Sequence, residues 1–255
     1  MTGVLQRIGL AALAAFWLLA GELHAASSLL IWPINPRIEA GEKAAALWLE
    51  NRGQQPISLQ VRVMAWQQAG FTDQLQPQQQ VVGSPPVVTV APGKRQMVRL
   101  ISMQPAAAHS EQAYRVLVDE MLQPGSEANP QLGVMFQMRY SVPLFVFGAG
   151  AALDTGAWAP GKDVRPLSPD LAYRVEEVGG RRYLSVHNRG GAHARLAQVY
   201  VRQSDRRVAL ADGLLGYVLP GAWMRWPLPP AVLASGFTLE ALINEQREPL
   251  GIPAL

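Results

Sequence analysis

The stretch Val134-Met135-Phe136-Gln137-Met138-Arg139-Tyr140 reads as a β-strand. Side chains alternate along a strand, so Val134, Phe136, Met138 and Tyr140 share one face, and Met135, Gln137 and Arg139 the other. The first face carries large apolar groups and a tyrosine; the second is mostly polar. Val142-Pro143-Leu144-Phe145-Val146-Phe147 follows, then Gly148-Ala149-Gly150-Ala151. A proline at 143 suits an edge strand or a bulge, because proline cannot donate to a ladder. The chain therefore presents an apolar strand whose ladder need not close within its own domain. Such an edge templates pairing with other chains, and is a candidate for strand addition to a partner. An ordinary sandwich strand has the same pattern, so the rest of the chain has to decide between the two.

The chain has 255 residues, too long for one small sandwich and comfortable for two. It is 49% hydrophobic and 16% charged, with a formal net charge of +3. This mild basicity favours acidic partners or an anionic group in a cleft, and is too weak to argue for nucleic acid. Cysteine is absent, which excludes thiolate metal sites and thiol catalysis. Residues 1–26 read as a secretory signal: Arg7 supplies the positive end and Ile8 to Ala20 the apolar core, with cleavage expected near Ala25 or Ala26. The apolar run is too short to span a bilayer and no basic stop-transfer cluster follows. The mature protein is expected to be exported and soluble, with no membrane insertion after signal removal.

From Ser27 onward the signals are those of an all-β protein, with short β-rich runs between turn residues. Expected strands are Leu29–Trp32, Ala44–Glu50, Ile57–Trp66, Val87–Val90, Gln96–Ile101 and Ala113–Glu120, then the stretch quoted above. Gln67 to Gln80 reads as a polar, Gln-rich loop. This is the rhythm of an immunoglobulin-like sandwich. Between 148 and 169 Gly- and Pro-containing turns replace the β pattern. The rhythm then resumes with Ala172–Glu176, Arg182–His187, Leu196–Arg202, Arg207–Leu210, Leu214–Leu219, Ala222–Pro227 and Phe237–Ile243. The expected organisation is a first domain over 27–148, a connection over 149–169 and a second β-sandwich over 170–255.

Several ordered motifs carry a family resemblance. They are Trp32-Pro33-Ile34 with Ile38-Glu39-Ala40-Gly41-Glu42-Lys43, Ala46-Leu47-Trp48-Leu49-Glu50-Asn51, Ser84-Pro85-Pro86, Pro92-Gly93-Lys94 with Met97-Val98-Arg99-Leu100, Tyr114 to Glu120, and Tyr140 to Phe145. Together they resemble the periplasmic pilus-assembly chaperones of the chaperone–usher pathway, with details most similar to the archaic (sigma) branch. The second half is similar mainly through Leu184 to Gly190 and Gly216-Tyr217-Val218-Leu219. The resemblance implies two immunoglobulin-like β-sandwich domains in a boomerang arrangement, in a periplasm. It implies that the protein binds, folds and caps pilus subunits lacking their last strand, and delivers them to an outer-membrane usher. The chaperone lends its own strand in donor-strand complementation, and 134–140 stands where the family's donor strand stands. On this reading Val134, Phe136 and Met138, with Tyr140 on the same face, fill the subunit's groove. Burying each of the first three contributes roughly 1.5–3 kcal/mol, before ordering and association costs reduce it.

One departure concerns the anchor. Many family members hold the subunit's terminal carboxylate with an arginine near the first strand and a lysine just before the Leu-Phe of the donor strand. Those places hold Asn35 and Pro143 here, neither cationic. The candidate replacements are Arg115 first, then Arg139, then Arg99. Arg115 lies on the strand expected to pair with the donor, on the face opposite Tyr114, Val116 and Val118.

Other classes fit less well. An exported hydrolase would need a catalytic constellation, but His109, His187 and His193 are scattered, with no His-Glu-x-x-His or Gly-x-Ser-x-Gly element. His187 reads as structural, and Asp119-Glu120 as a strand-end or salt-bridge pair. No catalytic residue, metal site or cofactor is expected. A fibre subunit or adhesin would carry a free donor segment at its mature N-terminus and one incomplete sandwich. This chain enters a strand at once and has the length of two domains.

Overall fold

A computed structural model describes residues 29–121, 137–154, 164–203, 206–232 and 236–255. In the first half the strands are β1 (Leu29–Trp32), β2 (Arg37–Ile38), β3 (Ala44–Asn51), β4 (Ile57–Ala69), β5 (Thr72–Pro77), β6 (Val81–Ser84), β7 (Val87–Val90), β8 (Arg95–Ser102), β9 (Glu111–Glu120) and β10 (Arg139–Phe147). They form two sheets, one ordered β1-β3-β8-β6 and one ordered β2-β10-β9-β4-β5, with β7 also paired to β4. Period-two alternation turns Leu47 and Leu49 of β3, Leu59 and Val61 of β4, Val98 and Leu100 of β8, Val116 and Val118 of β9 and Leu144 of β10 into one shared core.

The second half contains β11 (Ala151–Leu153), β12 (Arg165–Leu167), β13 (Leu171–Val178), β14 (Arg181–Asn188), β15 (Ala194–Gln203), β16 (Arg206–Val218), β17 (Trp223–Pro227), β18 (Thr238–Ile243) and β19 (Leu250–Ile252). Its sheets are β13-β14-β17 and β16-β15-β18-β19, with β11 and β12 as a small parallel pair. The fold is all-β, two immunoglobulin-like sandwiches, and the described residues contain no helix. Both sandwiches turn on the same tripeptide. Asn51-Arg52-Gly53 and Asn188-Arg189-Gly190 each bury the asparagine side chain. Asn51 Nδ2 donates to Gln55 O and Val90 O while its Oδ1 accepts from Gly53 N. Asn188 Nδ2 donates to Ala192 O and Val218 O while its Oδ1 accepts from Gly190 N. Each asparagine thus supplies the partners that the turning backbone lacks.

Four expectations need correction. Gln67 to Gln80 is no loop: β4 runs on to Ala69 and β5 folds back on it. The residues of β5 are all exposed and mostly polar, with Leu75 its one large apolar side chain, so it has main-chain pairing but no apolar alternation to announce it. Arg207–Leu210 and Leu214–Leu219 belong to one strand, β16. The Asp212-Gly213 break between them is absorbed by irregular register against β15, where Gln198 adopts a positive φ. The stretch after Gly148 holds β11 and β12, whose Ala151, Leu153 and Leu167 are buried in the second core. A last strand, β19, closes the sheet beside β18 and carries too little periodicity to be predicted. Val134 and Phe136 lie outside the described residues.

Candidate functional site

β10 pairs along its whole length with β9, from Arg139 opposite Asp119 to Phe147 opposite Glu111. On its other side β2 engages only Phe145 and Val146, in parallel. Among the described residues the edge from Arg139 to Leu144 has no strand beside it. Pro143 sits within that open stretch, where its missing N–H leaves no broken ladder. Just before β10, Met138 O accepts from Glu120 N at 3.0 Å, so the pairing with β9 extends one residue ahead of the strand. Met138 is 46% exposed, high for a large apolar side chain. Tyr140 is half-buried against the first core, and its hydroxyl donates to Glu120 Oε1 at 3.3 Å.

Strand alternation makes β10 serve two cores. Val142, Leu144 and Val146 point into the first sandwich. Phe145 and Phe147 point the other way, into the cluster of the second. Phe145 stacks on His193 at 3.4 Å and 2°. His193 N donates to Glu111 Oε1 at 2.9 Å, and its Nδ1 lies 2.8 Å from Glu111 Oε2. Gln68 spans the same boundary: its Nε2 donates to Tyr217 O and its Oε1 accepts from Leu219 N. Arg37 meets Glu245 at 2.8 Å. The two sandwiches therefore join through buried rings and paired polar groups.

Arg115 stands at this junction. It lies directly opposite Pro143 across the β9–β10 ladder, which puts the cation beside one of the two positions whose charge the sequence lacks. Its guanidinium covers the Trp66 ring at 3.6 Å and reaches the Tyr217 ring at 5.2 Å. Among the described residues its carboxylate neighbour is Asp73, at 3.7 Å, and its side chain is 14% exposed. Burial pulls the guanidinium below its ordinary range, against the opposing pull of Asp73 and Tyr217. Trp66 Nε1 is buried with no hydrogen-bond partner among the described residues. A largely buried guanidinium whose carboxylate neighbour is 3.7 Å away keeps N–H donors that an anion could take. Asn35, the other uncharged position, lines a cleft with Arg37, Phe145, His193, Arg195 and Tyr217. Burial raises the Tyr217 phenol, and Arg195 and Arg115 moderate the rise.

The other two candidate cations are placed elsewhere. Arg139 binds Asp119 from one side while Arg62 Nη2 binds it from the other at 2.7 Å. Burial alone would raise the Asp119 carboxyl, but the hydrogen bonds and charges of Arg139 and Arg62 together hold it below the usual range. Arg139 is thus engaged at the strand end. Arg99 is on β8, in the opposite sheet, exposed and facing outward. Of the three, only Arg115 reaches the junction. Arg195 and Trp66 join the site without a sequence signal beyond their cationic and aromatic types, and the Gly216 to Leu219 motif that contains Tyr217 does not place it there. His187 stacks on Trp223 at 4.5 Å, in keeping with a structural role.

The family described as "Pili and flagellar-assembly chaperone, PapD N-terminal domain" matches residues 37–150. The crystal structure of the CsuC-CsuE chaperone-tip adhesion subunit pre-assembly complex, from the archaic chaperone-usher Csu pili of Acinetobacter baumannii, matches at 32% identity and TM-score 0.69, over 89% of this chain and 99% of that one. The Pseudomonas aeruginosa CupB2 chaperone matches at 15% identity and TM-score 0.58, over 89% and 100% of the two chains. The Salmonella enterica SafA pilin–SafB chaperone complex gives 17% and 0.58, over 90% and 97%. These last two share the fold. No curated protein matches the chain. Identity of about a third along nearly the full length, with the family's first domain matched separately, is decisive: the chain belongs to the pilus-assembly chaperones of the chaperone–usher systems.

Proposed function

We propose that this chaperone captures pilus subunits in a periplasm by lending them β10 and the residues before it, and passes them to an outer-membrane usher. The observation that carries the reading is the open edge of β10 from Arg139 to Leu144, closed by β2 only at Phe145 and Val146. A subunit lacking its last strand exposes unpaired backbone and apolar pockets. Lending an edge supplies main-chain hydrogen bonds, while Val134, Phe136 and Met138, on one face by alternation, fill the pockets. Methionine adapts its shape to related but non-identical pockets. Tyr140 ends the series by packing on the chaperone's own core.

In this reading Arg115 receives the subunit's terminal carboxylate, and Trp66 Nε1 offers a further donor beside it. The proposed division is a first domain over 27–148 and a second sandwich over 170–255, joined by 149–169, whose β11 and β12 already pack on the second core, after a cleaved leader ending near Ala25 or Ala26. No bond-making step and no cofactor take part. The test is co-expression with the exported β-rich products encoded alongside it, followed by co-purification. Photo-crosslinking from position 138 is expected to trap the subunit. Recovery of the protein on the cell surface as part of a fibre would instead make it a subunit or adhesin.

A further inference from the structure

The outer face of the β1-β3-β8-β6 sheet, away from β10 and the junction, carries a second surface. The inward residues are Leu47 and Leu49 of β3 and Val98 and Leu100 of β8, with Leu29 and Ile31 of β1 packed on the same core. Alternation therefore puts Leu30, Trp32, Trp48, Glu50, Arg95, Met97, Arg99 and Ile101 outside. Register aligns Trp32, Trp48 and Met97 in one row across three strands. The two indoles stack at 6.0 Å and 12°. Arg95 lies over the Trp48 ring at 5.0 Å, on the β8 side. Trp32, Trp48 and Met97 are each only half-buried.

Of the outward residues just named, Arg95 and Arg99 are cationic and Glu50 is acidic, directly opposite Arg95 in the β3–β8 register. Glu50 is held by Arg52 at 3.0 Å. Arg99 is exposed and has no acidic partner among the described residues. Arg95, Met97 and Arg99 follow one another at alternate positions of β8, so a cation stands on each side of an apolar group. Because the indoles stand stacked, with their faces turned to each other and to Arg95, they present edges, which suits side-chain insertion better than a flat ring laid across them.

We infer that this face docks an extended acidic segment of a protein partner, with two carboxylates on Arg95 and Arg99 and an apolar side chain between them on Met97 and Trp48. The required pattern is acid, any residue, apolar, any residue, acid, because an extended segment repeats its faces every second residue. This docking is independent of the capture of subunits by β10.

The test uses the mature chain, methyl-labelled at methionine, and a short synthetic peptide Ser-Asp-Ser-Leu-Ser-Asp-Ser. The Met97 resonance, assigned with Met97→Leu, is expected to shift on titration, and that of Met138 to stay. A peptide with lysine in place of aspartate is expected to leave Met97 unmoved. Arg95→Glu with Arg99→Glu should lower the affinity at least about tenfold, as like charges then oppose, with the thermal transition retained. If that double variant fails to fold, Arg99→Gln alone gives a smaller loss in the same direction, since Arg99 is exposed. Equal response to the acidic and basic peptides would overturn the inference. So would a shift at Met138 rather than Met97, or unchanged affinity after charge reversal. A Met97 shift with phosphatidylglycerol vesicles but not with the peptide, or a dimer in solution that the double variant dissociates, would also overturn it.

Discussion

Arg115→Ala separates the packing of the guanidinium at the junction from the proposed role as carboxylate anchor. In the free chaperone the guanidinium loses its place over Trp66 at 3.6 Å, a desolvated cation–π contact worth about 2 kcal/mol. The Asp73 pair adds little, since it spans 3.7 Å and Asp73 is 44% exposed. Stability should therefore fall by about 2 kcal/mol, read by chemical denaturation. Binding should fall separately. A hydrogen bond to a charged group contributes about 1.5–3 kcal/mol, so affinity for the C-terminal end of a pilus subunit should drop by roughly ten- to a hundred-fold. A cycle isolates this second effect: each chaperone is titrated with a peptide copying the end of a pilus subunit, once with a free terminal carboxylate and once as the amide. The wild-type chaperone should prefer the free acid and Arg115→Ala should not. Arg115→Lys should keep part of the preference, because an ammonium lacks the planar fork. If Arg115→Ala weakens acid and amide alike, Arg115 shapes the junction without holding the carboxylate, and the proposed anchor is wrong.

Phe136→Asp should abolish the capture of subunits while the chaperone keeps its thermal transition, because a carboxylate entering an apolar pocket costs several kcal/mol; loss of the transition would place Phe136 in the chaperone's own core. Phe145→Ala should cost about 3–5 kcal/mol in a denaturant titration, as a fully buried ring stacked on His193 is removed; a loss below about 1 kcal/mol would mean the junction collapses freely. Asp119 has a folded pKa below its ordinary value, so its stabilisation is full above about pH 4 and is lost as pH falls through the lower folded value. Asp119→Asn should remove that acid-side loss, and an unchanged stability–pH curve would rule out the Arg62–Asp119–Arg139 cluster as its source.

Much of the first sandwich is legible in the sequence because its strands alternate cleanly. Ile57, Leu59, Val61 and Val63 are buried as the pattern demands. The hairpin strand at Thr72–Pro77 is illegible because it contributes only backbone pairing. The Asn-Arg-Gly repeat is visible as letters at 51–53 and 188–190, but its meaning depends on carbonyls thirty or more residues away, at Val90 and Val218. Arg115 stands out through the absence of charge at Asn35 and Pro143. Its setting between Trp66 and Tyr217 joins residues about 150 positions apart, a separation no local pattern encodes.

The same limit explains the division of labour along β10. Alternation alone makes Phe145 and Phe147 the odd face and Val142, Leu144 and Val146 the even one, yet both faces are apolar there, so periodicity does not say what covers the second. The structure supplies the answer in His193, Tyr217 and the other side chains of the second core. One end of β10 is thus fixed on both faces, while the edge from Arg139 to Leu144 is paired on one side alone among the described residues. A strand lent to another protein needs this asymmetry. Its register has to be set by something that does not move when the partner arrives, since a slip of one residue exchanges the two faces of a strand, and with them the proposed set Val134, Phe136 and Met138. Phe145 and Phe147 in the second core, with Val142, Leu144 and Val146 in the first, hold that end of β10, and Arg115 lies opposite Pro143 within the open stretch beside it.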